Sequence, residues 1–221
     1  MALQQHLALV PPEDSLGWSK ADILEPRVLA AVMEANAEFL ALLCARRATA
    51  GLDEGLGLAP KVLAGLPLRV GDTGPMRLPV ALFDLRFRDH AYWRSQAQAS
   101  ASIRDHADST RTDVACLRFT RSAVVLAWHL AHCHPAMARL TLGLEGRSLQ
   151  VMRDVPVGAL DCLASRVAPA LRARFARREA FWHLLCLALK SGGHHERLRI
   201  AAMQLQGAEA ARALPARQQA G

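Results

Sequence analysis

A chain of 221 residues that is 52% hydrophobic has ample material for a core, which excludes disorder as its default state. Aromatics reach only 5%, and Ala and Leu dominate the apolar residues, a bias toward helices over sheets, so the expected fold class is all-α. The formal charge of +7 and a pI of about 9.8, with Arg far ahead of Lys, suit an anionic partner such as a phosphate backbone, although a count of charges does not place them in space.

Met1 to Val10 lacks a cationic segment leading into a long apolar stretch and a small-residue cleavage site, so no secretory signal is expected. The strongest apolar candidate, Ala123 to Leu130, falls far short of the ~18 residues of a membrane span and is followed by His132 and His134, and the expectation is a cytoplasmic protein with no membrane partner. The cysteines, Cys44, Cys116, Cys133, Cys162 and Cys186, are odd in number and contain no Cys-x-x-Cys pair, which points to small helical residues rather than a disulfide framework.

Along the chain, Leu29, Val32, Met33, Asn36, Phe39, Leu40 and Leu43 follow the spacing of a helix with one buried face, with Pro26 in its first turn and Gly51 as a stop. Residues 96–121 are polar and small, and read as a helix end followed by a linker. Thr120 or Ser122 is placed to cap a helix carrying Val124, Val125, Trp128 and Ala131, ending near His134-Pro135, where the proline can start a short helix. Asp154 and Pro156 punctuate again before a helix with Leu160, Leu163 and Val167. A long amphipathic stretch from Leu171 to Leu189 closes at Gly192-Gly193, and residues 194–213 read as a last helix, with a frayed tail from Pro215.

Residues 34 onward align with 120 onward. Both segments show an apolar helical run, a polar interruption and then Leu-Gly-Leu, with Gly57 and Gly143 coincident where a left-handed backbone suits glycine. Leu66-Pro67-Leu68 matches Val155-Pro156-Val157, Pro79 matches Pro169, and Arg86-Phe87 matches Arg174-Phe175. Ala91-Tyr92-Trp93 matches Ala180-Phe181-Trp182, and these later matches fall at offsets of 88 to 90 residues. An internal duplication follows, with units at about residues 34–96 and 122–185.

Each copy resembles the D subunit of the flagellar master transcriptional activator, the FlhD family. Asn36-Ala37-Glu38-Phe39-Leu40-Ala41-Leu42-Leu43 is similar to that family's opening Asn-Leu-Ser-Tyr-Leu-Leu-Leu run, and Leu56-Gly57-Leu58 falls at its Leu-Gly-Ile. The segment Leu63 to Leu68 and the run Leu82 to Arg88 also follow the family's order. The second copy keeps Leu142-Gly143-Leu144 and Arg174-Phe175, and departs at Arg177-Arg178-Glu179 with an extra residue before the aromatic pair. The resemblance implies a regulator that binds promoter DNA with a C-type (FlhC-type) partner subunit. Family members pair with themselves, so it further implies a pseudo-dimer within one chain and is compatible with a homo-oligomer. The expected division is 22–96 as first repeat, 97–119 as linker and 120–213 as second repeat with a C-terminal helix.

Phosphate contacts come from Arg and Lys flanking a recognition element. Arg86, Arg88 and Arg94 in the first copy, and Arg172, Arg174, Arg177 and Arg178 in the second, are the candidates; the bland reading is the solvated face of a helix starting near Pro169 and of its counterpart. Lys190, Arg197 and Arg199, with His194 and His195, follow the Gly-Gly break as a further cluster, although basic residues also simply suit a helix end. His129, His132, Cys133 and His134 lie close together but lack the spacing of a four-ligand zinc site, so no metal or other cofactor is expected. Gly71-Asp72-Thr73-Gly74 reads as a turn, and with no nucleophile or phosphate-loop motif an enzyme is not expected. The alternative to a DNA-binding regulator is a helical adaptor, assembly factor or antagonist that keeps the fold without DNA.

Overall fold

The computed structural model describes residues 26–49, 56–67, 78–101, 113–191 and 194–213. Expectations for Met1 to Val10, Gly51, Gly71 to Gly74, the middle of the linker, Gly192-Gly193 and the tail from Pro215 lie outside the described residues.

Helix α1, Pro26–Thr49, buries Val32, Asn36, Phe39, Leu40 and Leu43, one stripe at helical spacing. Helix α4, Val114–Cys133, begins well before Thr120, because the Asp113 carboxylate accepts a hydrogen bond from Ala115 N at 2.9 Å and caps it there. Residues 113–119 therefore belong to the helix and not to a linker. Its buried face is Cys116, Phe119, Thr120, Ala123, Val124, Ala127, Leu130 and Ala131, while Val125 is 50% exposed.

The two helices pack on each other, with Phe39 and Phe119 ring centroids 5.4 Å apart and Phe83 closing the cluster at 6.0 and 5.0 Å. By length and composition both helices are apolar enough to cross a membrane, a test that the core helix of a globular protein also passes. In this fold their apolar stripes are satisfied by packing against neighbouring helices.

Between them lie α2 (Pro60–Gly65), the two-residue strand β1 (Phe83–Asp84) and α3 (His90–Ala101). After α4 come the short α5 (Pro135–Met137), a π-helical turn at Ala138–Leu142 that ends on left-handed Gly143, then α6 (Gly146–Asp154) and α7 (Leu160–Val167). Strand β2 (Arg172–Ala173), α8 (Glu179–Ser191) and α9 (His195–Ala213) complete the chain. The protein is all-α, its described residues holding nine α-helices and one minimal antiparallel ribbon.

Leu171 to Leu189 is not one helix. Phe175 has φ 57°, a left-handed conformation that stops right-handed helix growth, so the stretch divides into strand, turn and α8. Residue Arg86 has φ 59° in the turn between β1 and α3. The two turns share further geometry. Asp89 N donates to Arg86 O at 2.8 Å and Arg178 N to Phe175 O at 2.7 Å, while Trp93 N and Trp182 N donate to the carbonyls of Asp89 and Arg178. Each indole is anchored near its turn, though on carbonyls 88 rather than 89 positions apart: Trp93 Nε1 donates to Arg86 O and Trp182 Nε1 to Arg174 O, both at 3.1 Å.

Strand-to-helix segments 89 positions apart thus have the same backbone course, and the ribbon joins them: Phe83 faces Ala173 and Asp84 faces Arg172. Helix contacts cross over in the same way, α3 packing on α6 and α8 on α2. Asn36 ties α1 to the segment before the ribbon: its buried Nδ2 donates to Val80 O at 2.9 Å and its Oδ1 accepts from Leu82 N at 2.8 Å.

Candidate nucleic-acid interface

The turn after β2 gathers the densest positive charge among the expected site residues. Arg172, Arg177 and Arg178 are exposed and line one cleft of about 670 Å³ with Asp84, Gly57 and Phe175, its far wall formed by Leu205 and Ala208 of α9. The left-handed Phe175 turns the chain sharply, which is what brings Arg172 on the strand and Arg177 and Arg178 before α8 to the same opening.

Arg174 leaves this set. It is 5% exposed, its Nη1 donates to Thr141 O at 2.8 Å, its Nη2 donates to the buried Gln206 side chain, and the guanidinium lies 5.0 Å from the Phe175 ring centroid. An arginine with its donors committed inside the fold cannot reach a phosphate backbone. Its role is to fasten α9 to the π-helical turn, since Gln206 Nε2 in turn donates to Arg139 O at 3.1 Å.

The turn between β1 and α3 is balanced rather than basic. Arg86 pairs with Asp89 at 2.5 Å and stacks 4.5 Å from the centroid of Tyr92. Burial pushes the Tyr92 hydroxyl up, opposed by Arg86, reinforced by Asp89 and opposed again by Arg172, so these groups share one neighbourhood. The backbone offset of 89 places Arg86 opposite Phe175 and Tyr92 opposite Phe181, and the cation-on-ring contact of one turn is replaced in the other by two rings 5.3 Å apart. Aligning Arg86-Phe87 with Arg174-Phe175 is therefore one position out of register with the fold. Only Arg88 and Arg177 recur at equivalent places, and Arg88 is half-buried near Gly143.

The remaining expected residues lie elsewhere. Arg94 is exposed on α3, bonded to His90 Nε2 at 3.0 Å, and lines a different cleft, between α3 and α6. Lys190 sits at the far end of α8, about 16 Å along the axis from Glu179 at the helical rise of ~1.5 Å per residue. On α9, Arg197 and Arg199 are exposed; Arg199 forks onto Glu196 at 3.0 and 2.7 Å, and this hydrogen bond holds the Glu196 carboxyl below its ordinary range.

Arg147 was not among the residues singled out from the sequence. It lines the α3–α6 cleft, and the signal for it was there: Arg147 follows Gly143 by the interval at which Lys61 follows Gly57. Among the described residues, no group of three or more His, Cys, Asp or Glu side chains is placed to hold a metal ion. His132 instead bonds Trp128 O at 2.9 Å with its ring tilted 43° to the indole, and Cys133 lies 3.8 Å from His129 Nδ1.

No protein-family model, curated protein or solved structure matches this chain.

Proposed function

We propose that the chain is an internally duplicated, FlhD-type transcriptional regulator, its halves related by an approximate twofold, that binds promoter DNA through the arginine-lined cleft of its second half. The observation that carries this reading is the convergence of Arg172, Arg177 and Arg178 on one opening beside the ribbon that joins the halves. Support for the duplication comes from the 89-residue offset shared by the strands, the left-handed turns and the backbone bonds of Trp93 and Trp182 to the carbonyls four residues before them. The first half, with Asp84 and Asp89 beside Arg86, acts as scaffold and as the seat of a C-type partner subunit.

Three phosphate contacts predict a definite salt dependence. Replacing Arg172, Arg177 and Arg178 together by Ala should weaken binding to all sequences alike and flatten the slope of log affinity against log salt by about 3. The measurement is fluorescence anisotropy on flagellar-promoter DNA and on an unrelated duplex, with and without a C-type subunit. An unchanged slope would remove the cleft as the DNA contact.

A second reading, a helical adaptor without DNA, draws on the commitment of Arg174, Arg86 and Arg199 to intramolecular partners. It predicts no salt-dependent binding to either duplex.

A further inference from the structure

The crossed helix pairs differ in charge where their geometry corresponds. In the α2–α8 pair, Lys61 Nζ and Glu179 Oε2 form an ion pair at 2.5 Å. Helix α6 follows Gly143 as α2 follows Gly57, and α3 begins 89 positions before α8, so Arg147 corresponds to Lys61 and His90 to Glu179. The neighbouring positions agree. Gly65 lies against Cys186, its built Cβ 3.5 Å from the thiol sulfur, and their counterparts Val151 and Ala97 line the α3–α6 cleft together. One pair thus holds a cation and its carboxylate, while the other has a cation in the same place and no carboxylate opposite.

Among the described residues, no ion pair neutralises Arg147. Arg94 adds a second guanidinium to the cleft and lies 3.0 Å from His90 Nε2. Among the described lining residues the one carboxylate, Asp154, accepts from Gln150 Nε2 at 3.0 Å and sits about 10 Å along α6 from Arg147 at ~1.5 Å per residue. The cleft encloses about 630 Å³, and its floor includes Val151, Val155 and Pro156. That volume and mixture of apolar wall and convergent donors suit a small ligand.

We propose that the α3–α6 cleft binds a small molecule with an anionic head, a phosphate or carboxylate, held by Arg147 and Arg94 where Glu179 would stand in the other pair, and an apolar body laid on Val151, Val155 and Pro156. The site is separate from the arginine cleft proposed for DNA. Arginine suits this task because its planar donors match an oxyanion's geometry.

The test is calorimetric titration of the full chain at constant ionic strength with inorganic phosphate, phenyl phosphate and phenylacetate. Phenyl phosphate should saturate one site and bind at least tenfold more tightly than inorganic phosphate, and phenylacetate decides whether a carboxylate serves as well as a phosphate. Arg147→Glu, which restores a carboxylate to the cleft, should abolish binding, and Arg94→Gln should weaken it at least tenfold. Should the Glu variant fail to fold, Arg147→Gln replaces it. Glu179→Gln and the Arg172/Arg177/Arg178 triple Ala variant should bind as the parent chain does, which separates this site from the DNA reading. Absence of saturable binding, or binding that survives both cleft substitutions, would overturn the proposal.

Discussion

Arg174 covers Gly143 so closely that a Cβ built on the glycine would lie 2.5 Å from the arginine's Nη2. The contact joins the turn after β2 to the end of the π-helical stretch, and Arg174 also holds Thr141 O and Gln206, so one buried charge organises the packing of α9 on the second half.

Gly143 and Gly57 both have positive φ, 75° and 87°, but only Gly143 is crowded, the nearest atom to a Cβ on Gly57 being Ala176 Cβ at 3.8 Å. Gly57→Ala should cost about 1 kcal/mol from the left-handed backbone alone, and Gly143→Ala about 3 kcal/mol because Arg174 must also move. Urea unfolding of the two variants measures the difference. Equal losses would mean that the arginine yields without cost.

Arg174→Ala leaves Thr141 O and the Gln206 side chain without their charged donor. The expected loss is about 3 kcal/mol of stability, with the salt slope of DNA binding unchanged. A flattened slope without a stability loss would place Arg174 on the surface and contradict its burial.

Asn36 is the buried polar residue of α1, and both ends of its amide are used by the chain at Val80 and Leu82. Asn36→Ala strands a carbonyl and an N–H inside the core and should cost about 2 to 3 kcal/mol. Asn36→Asp keeps the acceptor for Leu82 N but faces Val80 O with an oxygen, so it should be no better. Thermal unfolding at neutral pH compares them.

Thiol reactivity should follow burial. Cys133 is exposed, whereas burial pushes the Cys44 and Cys186 thiols up, opposed at Cys44 by Arg47 and at Cys186 by Lys190. In native protein at pH 8, Cys133 should react fast with a chromogenic disulfide and Cys44 and Cys186 only on unfolding. The folded thiols hold their protons more tightly than the unfolded chain, so stability should be flat below the ordinary thiol value of 9.0 and fall as pH rises above it. Rapid native labelling of Cys186 would contradict its placement against α2.

Helical class, the buried stripe of α1, the stop at His134-Pro135 and the break at Asp154 were legible in the sequence, because periodicity, proline and capping act over a few residues. The start of α4 was misread because Asp113, a competent cap, stands in a polar stretch that also resembles a linker. The long stretch before Gly192 was misread because its composition is helical and nothing local announces that Phe175 will turn left-handed; the ribbon and the anchored Trp182 hold it so.

By itself the sequence determined the helical class and the buried stripe of α1, since apolar residues at helical intervals restrict what can fill a core. Tertiary structure decided the register between the halves and the fate of each charge. Matching residue types set Arg86 against Arg174, but backbone conformation sets it against Phe175, and a one-residue shift in a turn carries a side chain from solvent to core. Arg174 is spent inside and Arg147 is left facing a cleft because burial and partnership depend on residues distant in the chain, Gln206 in the one case and α3 in the other.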